Sequence, residues 1–226
     1  SASTSSGDID MRTADAGVAG VSGGLYVSTG ETTAGSSGRI EMMTGSAQQG
    51  AGGDISMTVG AGDIFDGGDL VFGAGRSYEG RGGTVEVLAG FSDLSTGGSV
   101  VVMSGATNAT DSGSVTIATA QSGPYGVSGE MQLSTGASLA GVSGKIEIVT
   151  GDAVQGTGGD NILTVGTGDT SNGGALIQTA GETADTSVAG GLVSITGGLA
   201  STFYGSMGGS VMMTAGASNS VGADVS

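Results

Sequence analysis

The chain has no cysteine, no histidine, no tryptophan and a single proline in 226 residues. Without cysteine there is no disulfide framework and no thiol nucleophile. Without histidine as well, the common transition-metal sites and the imidazole general base are missing. Cations are also scarce: Arg12, Arg39, Arg76, Arg81 and Lys145 stand against 21 acidic residues, for a formal charge of −16. Such a surface repels phosphate backbones and anionic membranes, so no nucleic-acid partner is expected. No apolar run approaches the length of a membrane span, so no membrane insertion is expected either.

What is abundant is glycine, 50 residues of it, and it is periodic. Units of about fifteen residues recur fourteen times, as in GGDISMTVGAGDIFD (52–66), GGDLVFGAGRSYEGR (67–81) and GGTVEVLAGFSDLST (82–96). Position 1 is the first residue of the small-Gly pair that opens each unit. Position 4 then reads Ile40, Ile55, Leu70, Val85 and Ile146, and position 6 reads Met42, Met57, Phe72, Val87 and Ile148. Apolar residues at 4 and 6 with small ones at 8 give the period-two signature of a strand with one buried face. Those ten residues form the expected packing core. Position 9 is glycine in most units, which predicts a corner with positive φ or a close backbone approach. Position 11 is always Ala, Ser, Thr or Gly, which predicts a thin far wall.

A short fixed period predicts units that bury their apolar faces by stacking. The expected fold class is all-β: a single-stack parallel β-solenoid (β-helix) of about 14 rungs, of undetermined handedness. Stacked rungs would place Arg39 beside Asp54 and Asp69, and Lys145 between Glu130 and Asp160. An intertwined trimer is the alternative that such a thin rung leaves open. Asn161 and Gln178 interrupt the apolar columns, as a buried polar ladder, a ligand site, a satisfied amide pair, a local bulge, or a misassigned phase in which Asn161 and Ile162 exchange places.

A longer period lies above the first. SGRIEMMTGSAQQGAGGD (37–54) matches SGKIEIVTGDAVQGTGGD (143–160) at an offset of 106 residues. This divides the chain into residues 1–5, the tail of a preceding unit, and two seven-rung blocks, 6–111 and 112–226, with no linker. The expectation is a two-block stretch of a longer tandem array.

Candidate sites are few. Asp63, Asp66, Asp69 and Asp169 lie on Gly-rich turns where calcium is the cation that oxygen ligands suit; no other cofactor is expected. Asn108 begins the one Asn-X-Thr sequon. Outward Thr164, Thr179, Thr196 and Thr214 raise ice binding, while Arg12, Met43 and Leu88 in the same column oppose it. Outward Val71, Val101, Met103 and Ile177 add apolar surface of the kind that marks association, so self-association into a fibre or lateral bundle is the expected partnership.

The SGxIxxxTGxAxxGxGGxIxxxxG texture resembles the giant Gly/Ser/Thr-rich tandem-repeat proteins of algal-type cell surfaces. More loosely, it is similar to bacterial adhesin and phage-fibre solenoids. That resemblance implies an extracellular or cell-surface location, and it carries no catalytic residues. The expected function is a non-catalytic structural segment, a rigid rod or fibre. The alternative is a surface-binding module, either a calcium-dependent adhesin or a binder of ice or glycan.

Overall fold

The computed structural model describes residues 6–169, 172–200 and 207–216. Among them there is no helix and no strand, and no residue is buried. The chain exposes 22945 Å² of surface, whereas a compact protein of its 21.2 kDa mass would expose about 9,000 Å². The expected β-solenoid is therefore not formed by the single chain. Neither are the rigid rod and the folded binding module that were expected to follow from it.

The fifteen-residue period nevertheless governs the backbone. The chain bends at 33–35, 48–50, 63–65, 78–80, 93–95 and 108–110, and again at 139–141 and 154–156. Every one of these falls on positions 12–14 of its repeat. Three of the bends are capped from position 11: Ser77 Oγ accepts from the Gly80 amide (2.8 Å) and Ser92 Oγ from the Ser95 amide (3.1 Å). Thr107 Oγ1 accepts from Ala109 and Thr110 (3.2 and 3.3 Å). In these three repeats position 11 is a turn cap of the Ser/Thr type, where a far wall was expected. In the sixteen-residue repeats the bend is replaced by tight turns, closed by Gly20 N–H to the Gly17 carbonyl and Gly126 N–H to the Gly123 carbonyl.

Flanking each bend, the backbone closes on itself in a neck. Position 2 of one repeat meets positions 8 and 9 of the repeat before it. Gly83 N–H donates to the Gly75 carbonyl (2.8 Å), Gly98 to Gly90, Gly113 to Gly105 and Gly191 to Gly181 (2.9 Å each). A Cβ on Gly83 would lie 3.1 Å from Gly75 N and 3.2 Å from the Ala74 Cβ, tighter than side chains tolerate without backbone movement. The same tight approach is made at Gly98, Gly191 and Gly209, three more of the fourteen position-2 glycines.

The side chain at position 8 selects the kind of neck. Ala74, Ala89, Ser104 and Ala180 are small enough for the backbone bond. Thr13 and Thr29 instead donate their hydroxyls to the Gly23 and Gly38 carbonyls (3.1 and 3.3 Å). Val59 and Val165 fill the space, coming within 2.7 and 2.6 Å of a Cβ position on Gly68 and Gly174.

Position 9 differs from the expectation. Gly30, Gly45, Gly60, Gly75 and Gly90 have open space where a Cβ would be, and none has positive φ. Left-handed backbone is found instead at Gly35 (φ 118), Gly141 (φ 102) and Gln155 (φ 65), all within the loops.

By Cα packing the chain divides into two units, Ser1–Thr116 and Ile117–Ser226. In the first, the repeats carry necks from Thr13–Gly23 through Gly105–Gly113. In the second they run from Thr119–Gly129 to Gly198–Gly209.

The solenoid fails in a single chain for a physical reason. Two apolar side chains per fifteen residues offset only part of the cost of ordering the repeat. The one backbone bond at a neck leaves positions 3–8 with both edges open. Seven backbone–backbone hydrogen bonds join the described residues, far below the roughly one bond per residue of a packed domain.

Candidate self-association surface

Positions 3–8 of each repeat form a short open segment between two necks. Its local geometry is pleated, because residues two apart lie on one side. Arg39 pairs with Glu41 (2.8 Å) and Lys145 with Glu147, the same pair one 106-residue block later. Arg12 and Asp10 (3.4 Å) follow the same spacing. These are pairs within a segment, so the expected ladders joining Arg39 to Asp54 and Asp69, and Lys145 to Glu130 and Asp160, are not made. Residues two apart on one side of an open segment meet without stacking, which is why the pairing is local. All three pairs are exposed, and such pairs contribute little to stability.

The apolar positions keep a trace of the alternation. Ile40, Ile55, Leu70 and Ile146 at position 4 are 50–52% exposed, whereas Val71, Val101 and Ile177 at position 5 are 80–83% exposed. Position 6 is less shielded: Met42, Phe72, Val87 and Ile148 are 66–72% exposed. None of the ten residues expected to form the core is buried, Met57 and Val85 included. Position 4 is the more shielded of the two columns, and neither is covered.

The remaining candidate residues are scattered and solvated. Asp63, within a bend, and Asp66, Asp69 and Asp169 are exposed. Among the described residues no three acidic side chains converge in a way that could hold a metal ion. The Phe65 and Asp66 carbonyls turn inward against Gly62, where a Cβ would overlap them. Asn108 is exposed on the bend that Thr107 caps. Asn161 and Gln178 are exposed, so neither is a buried amide needing a partner. Thr164, Thr179, Thr196 and Thr214 are also exposed.

One loop outside the fifteen-residue pattern carries a perturbed acid. Asp185 accepts from the Ser187 hydroxyl (2.7 Å) and the Ser187 amide (2.8 Å). These two bonds favour the ionised form and lower its pKa below the ordinary aspartate value. A shallow concavity of about 300 Å³ is lined by Arg12, Thr13, Ala14 and Asp15, a single stretch of chain with no converging groups.

The sequence signalled the apolar columns but not the necks. A signal for the necks was present: glycine without exception at position 2, beside a position 8 restricted to small or β-branched residues. It reads as a contact rule only once the two positions are seen to touch.

Comparison with protein-family models, with curated proteins and with solved structures gives no match. The resemblance to algal-type surface repeats rested on texture. The solenoid that it implied is overturned by the absence of strands among the described residues.

Proposed function

We propose that this chain is a non-catalytic, extracellular self-association segment, whose apolar positions are covered by other copies of itself. One observation carries the reading. Positions 4 and 6 are apolar at all but two places, Asn161 and Gln178, through fourteen repeats, yet at least half exposed in the single chain. An apolar surface this extended is rare on a protein that works alone. The open backbone edges of positions 3–8 add unpaired donors and acceptors, the ordinary template for strand addition.

The charge of −16 disfavours nucleic acid and anionic lipid as the covering partner. The lack of histidine and cysteine argues against a hydrolytic or redox role. The Gly/Ser/Thr-rich, acidic composition suits an extracellular setting.

Sedimentation velocity across a range of concentrations tests the reading. The expected result is a mass several times 21.2 kDa that falls on dilution. Replacing Val85, Val87, Val100 and Val102 by Asp should weaken association at least about tenfold, since each buried valine is worth about 1.5 kcal/mol or more. A single species of one chain's mass at every concentration would refute self-association.

A further inference from the structure

We propose that the copy covering the apolar face lies parallel to the first and is displaced along it by one fifteen-residue repeat. The inference rests on the self-association reading and deepens it to a register.

Only a partner with the same fifteen-residue period can meet positions 4 and 6 in every repeat, and a second copy of the chain has that period by construction. Charge then selects among the possible registers. With no displacement, each charged residue faces its own copy. At position 3 these are Asp8, Arg39, Asp54, Asp69, Glu130, Lys145 and Asp160, and at position 5 Asp10, Glu41, Glu86 and Glu147. With Arg12 at position 7, that makes twelve like-charge pairings, each unfavourable across adjacent segments.

A displacement of one repeat removes all twelve. Arg39 then meets Asp54, Glu130 meets Lys145, and Lys145 meets Asp160; Asp54 on Asp69 is the one repulsive pairing that arises. At position 5 the charged residues meet Tyr26, Ser56, Val71, Val101, Gln132 or Ile162. Displacement by the 106-residue block is excluded on the same grounds, because it sets Arg39 on Lys145 and Asp54 on Asp160.

An antiparallel copy that keeps the apolar match exchanges position 4 with 6, and therefore position 3 with 7. No acid occurs at position 7 in any repeat, so Arg39 and Lys145 would find no counter-charge there. In the single chain Arg39 and Lys145 already lean on Glu41 and Glu147. Both cations remain largely exposed, so a second carboxylate can approach.

The absence of cysteine from the chain makes single-cysteine variants a clean test. Thr84 and Ser99 occupy position 3 of consecutive repeats and are exposed. T84C alone, S99C alone and an equimolar mixture are brought to mild oxidising conditions at a concentration where sedimentation shows association. The expected result is a T84C–S99C mixed disulfide several-fold more abundant than either symmetric disulfide. Symmetric disulfides in equal or greater yield would establish the undisplaced register and overturn the proposal. An associated protein that forms none of the three disulfides would also overturn it, leaving self-association itself intact. A protein that stays a single chain would remove both.

Discussion

Position 8 decides how the chain closes on the next glycine. With alanine there, Gly83 N–H reaches the Gly75 carbonyl; with valine, at Val59, no such bond joins Gly68 to Gly60. The two residues therefore make reciprocal predictions. Gly83→Ala places a methyl 3.1 Å from Gly75 N, so it should open that neck at a cost of about 1 kcal/mol. Val59→Ala should allow a new Gly68-to-Gly60 bond. Hydrogen exchange followed residue by residue by NMR reads both: the Gly83 neck should lose its protection and the Gly68 amide should gain some. Gly73→Ala is the control, because open space surrounds Gly73. An equal response at Gly73 and Gly83 would show that loss of glycine freedom, and not the contact, is what matters.

At the scale of the repeat, neck and open segment should behave differently. In dilute solution the amides of positions 3–8 have no backbone partner, whereas those of Gly83, Gly98 and Gly113 do. Exchange in segments such as 84–89 should run near the rate of an unstructured chain, with the neck amides several-fold slower. Raising the concentration into the associating range should protect 84–89 selectively. Protection of 84–89 that does not change with concentration would mean that the segment finds its partner within one chain.

Much of the repeat was legible in advance. Ile40, Met42, Val85 and Val87 announce the apolar face by spacing alone, and the 106-residue block reappears as matching ion pairs at Arg39–Glu41 and Lys145–Glu147. What spacing could not convey is which surface covers that face. Periodicity demands burial, and it is equally satisfied by the next repeat or by another molecule. The same ambiguity explains the charged columns: Arg39 and Asp54 share a position whether they meet within a chain or between two. It also explains the loops, where Ser77 and Ser92 read as small wall residues and serve as turn caps. A small hydroxyl side chain fits either role.

For the whole molecule, the governing balance is apolar contact against like charge. Two copies bring together a combined formal charge of about −32, from −16 each, and few compensating cations. Association should therefore strengthen as salt rises from about 0.01 to 0.15 M, where the screening length falls from about 30 to 8 Å. The contact pairs at Arg39 and Lys145 are also screened, but they are few beside the excess of carboxylates. Sedimentation at the two ionic strengths measures the sign. Weaker association at the higher salt would mean that the attractive pairs outweigh the general repulsion.

The necks also have a mechanical consequence. Between Gly75 and Gly83 the chain travels eight residues and returns to a single 2.8 Å hydrogen bond. Pulled straight, those eight residues would span about 26–29 Å. Each backbone-bonded neck therefore holds a loop of slack behind one weak bond, and among the described residues such necks recur at Gly98, Gly113, Gly191 and Gly209. A chain placed under tension would lengthen in steps of about 25 Å, each bond yielding separately and able to close again when the load is removed. Whether a given step yields early or late would be set by the residue at position 8, so the order of extension is written in a single column of alanine, serine, threonine and valine.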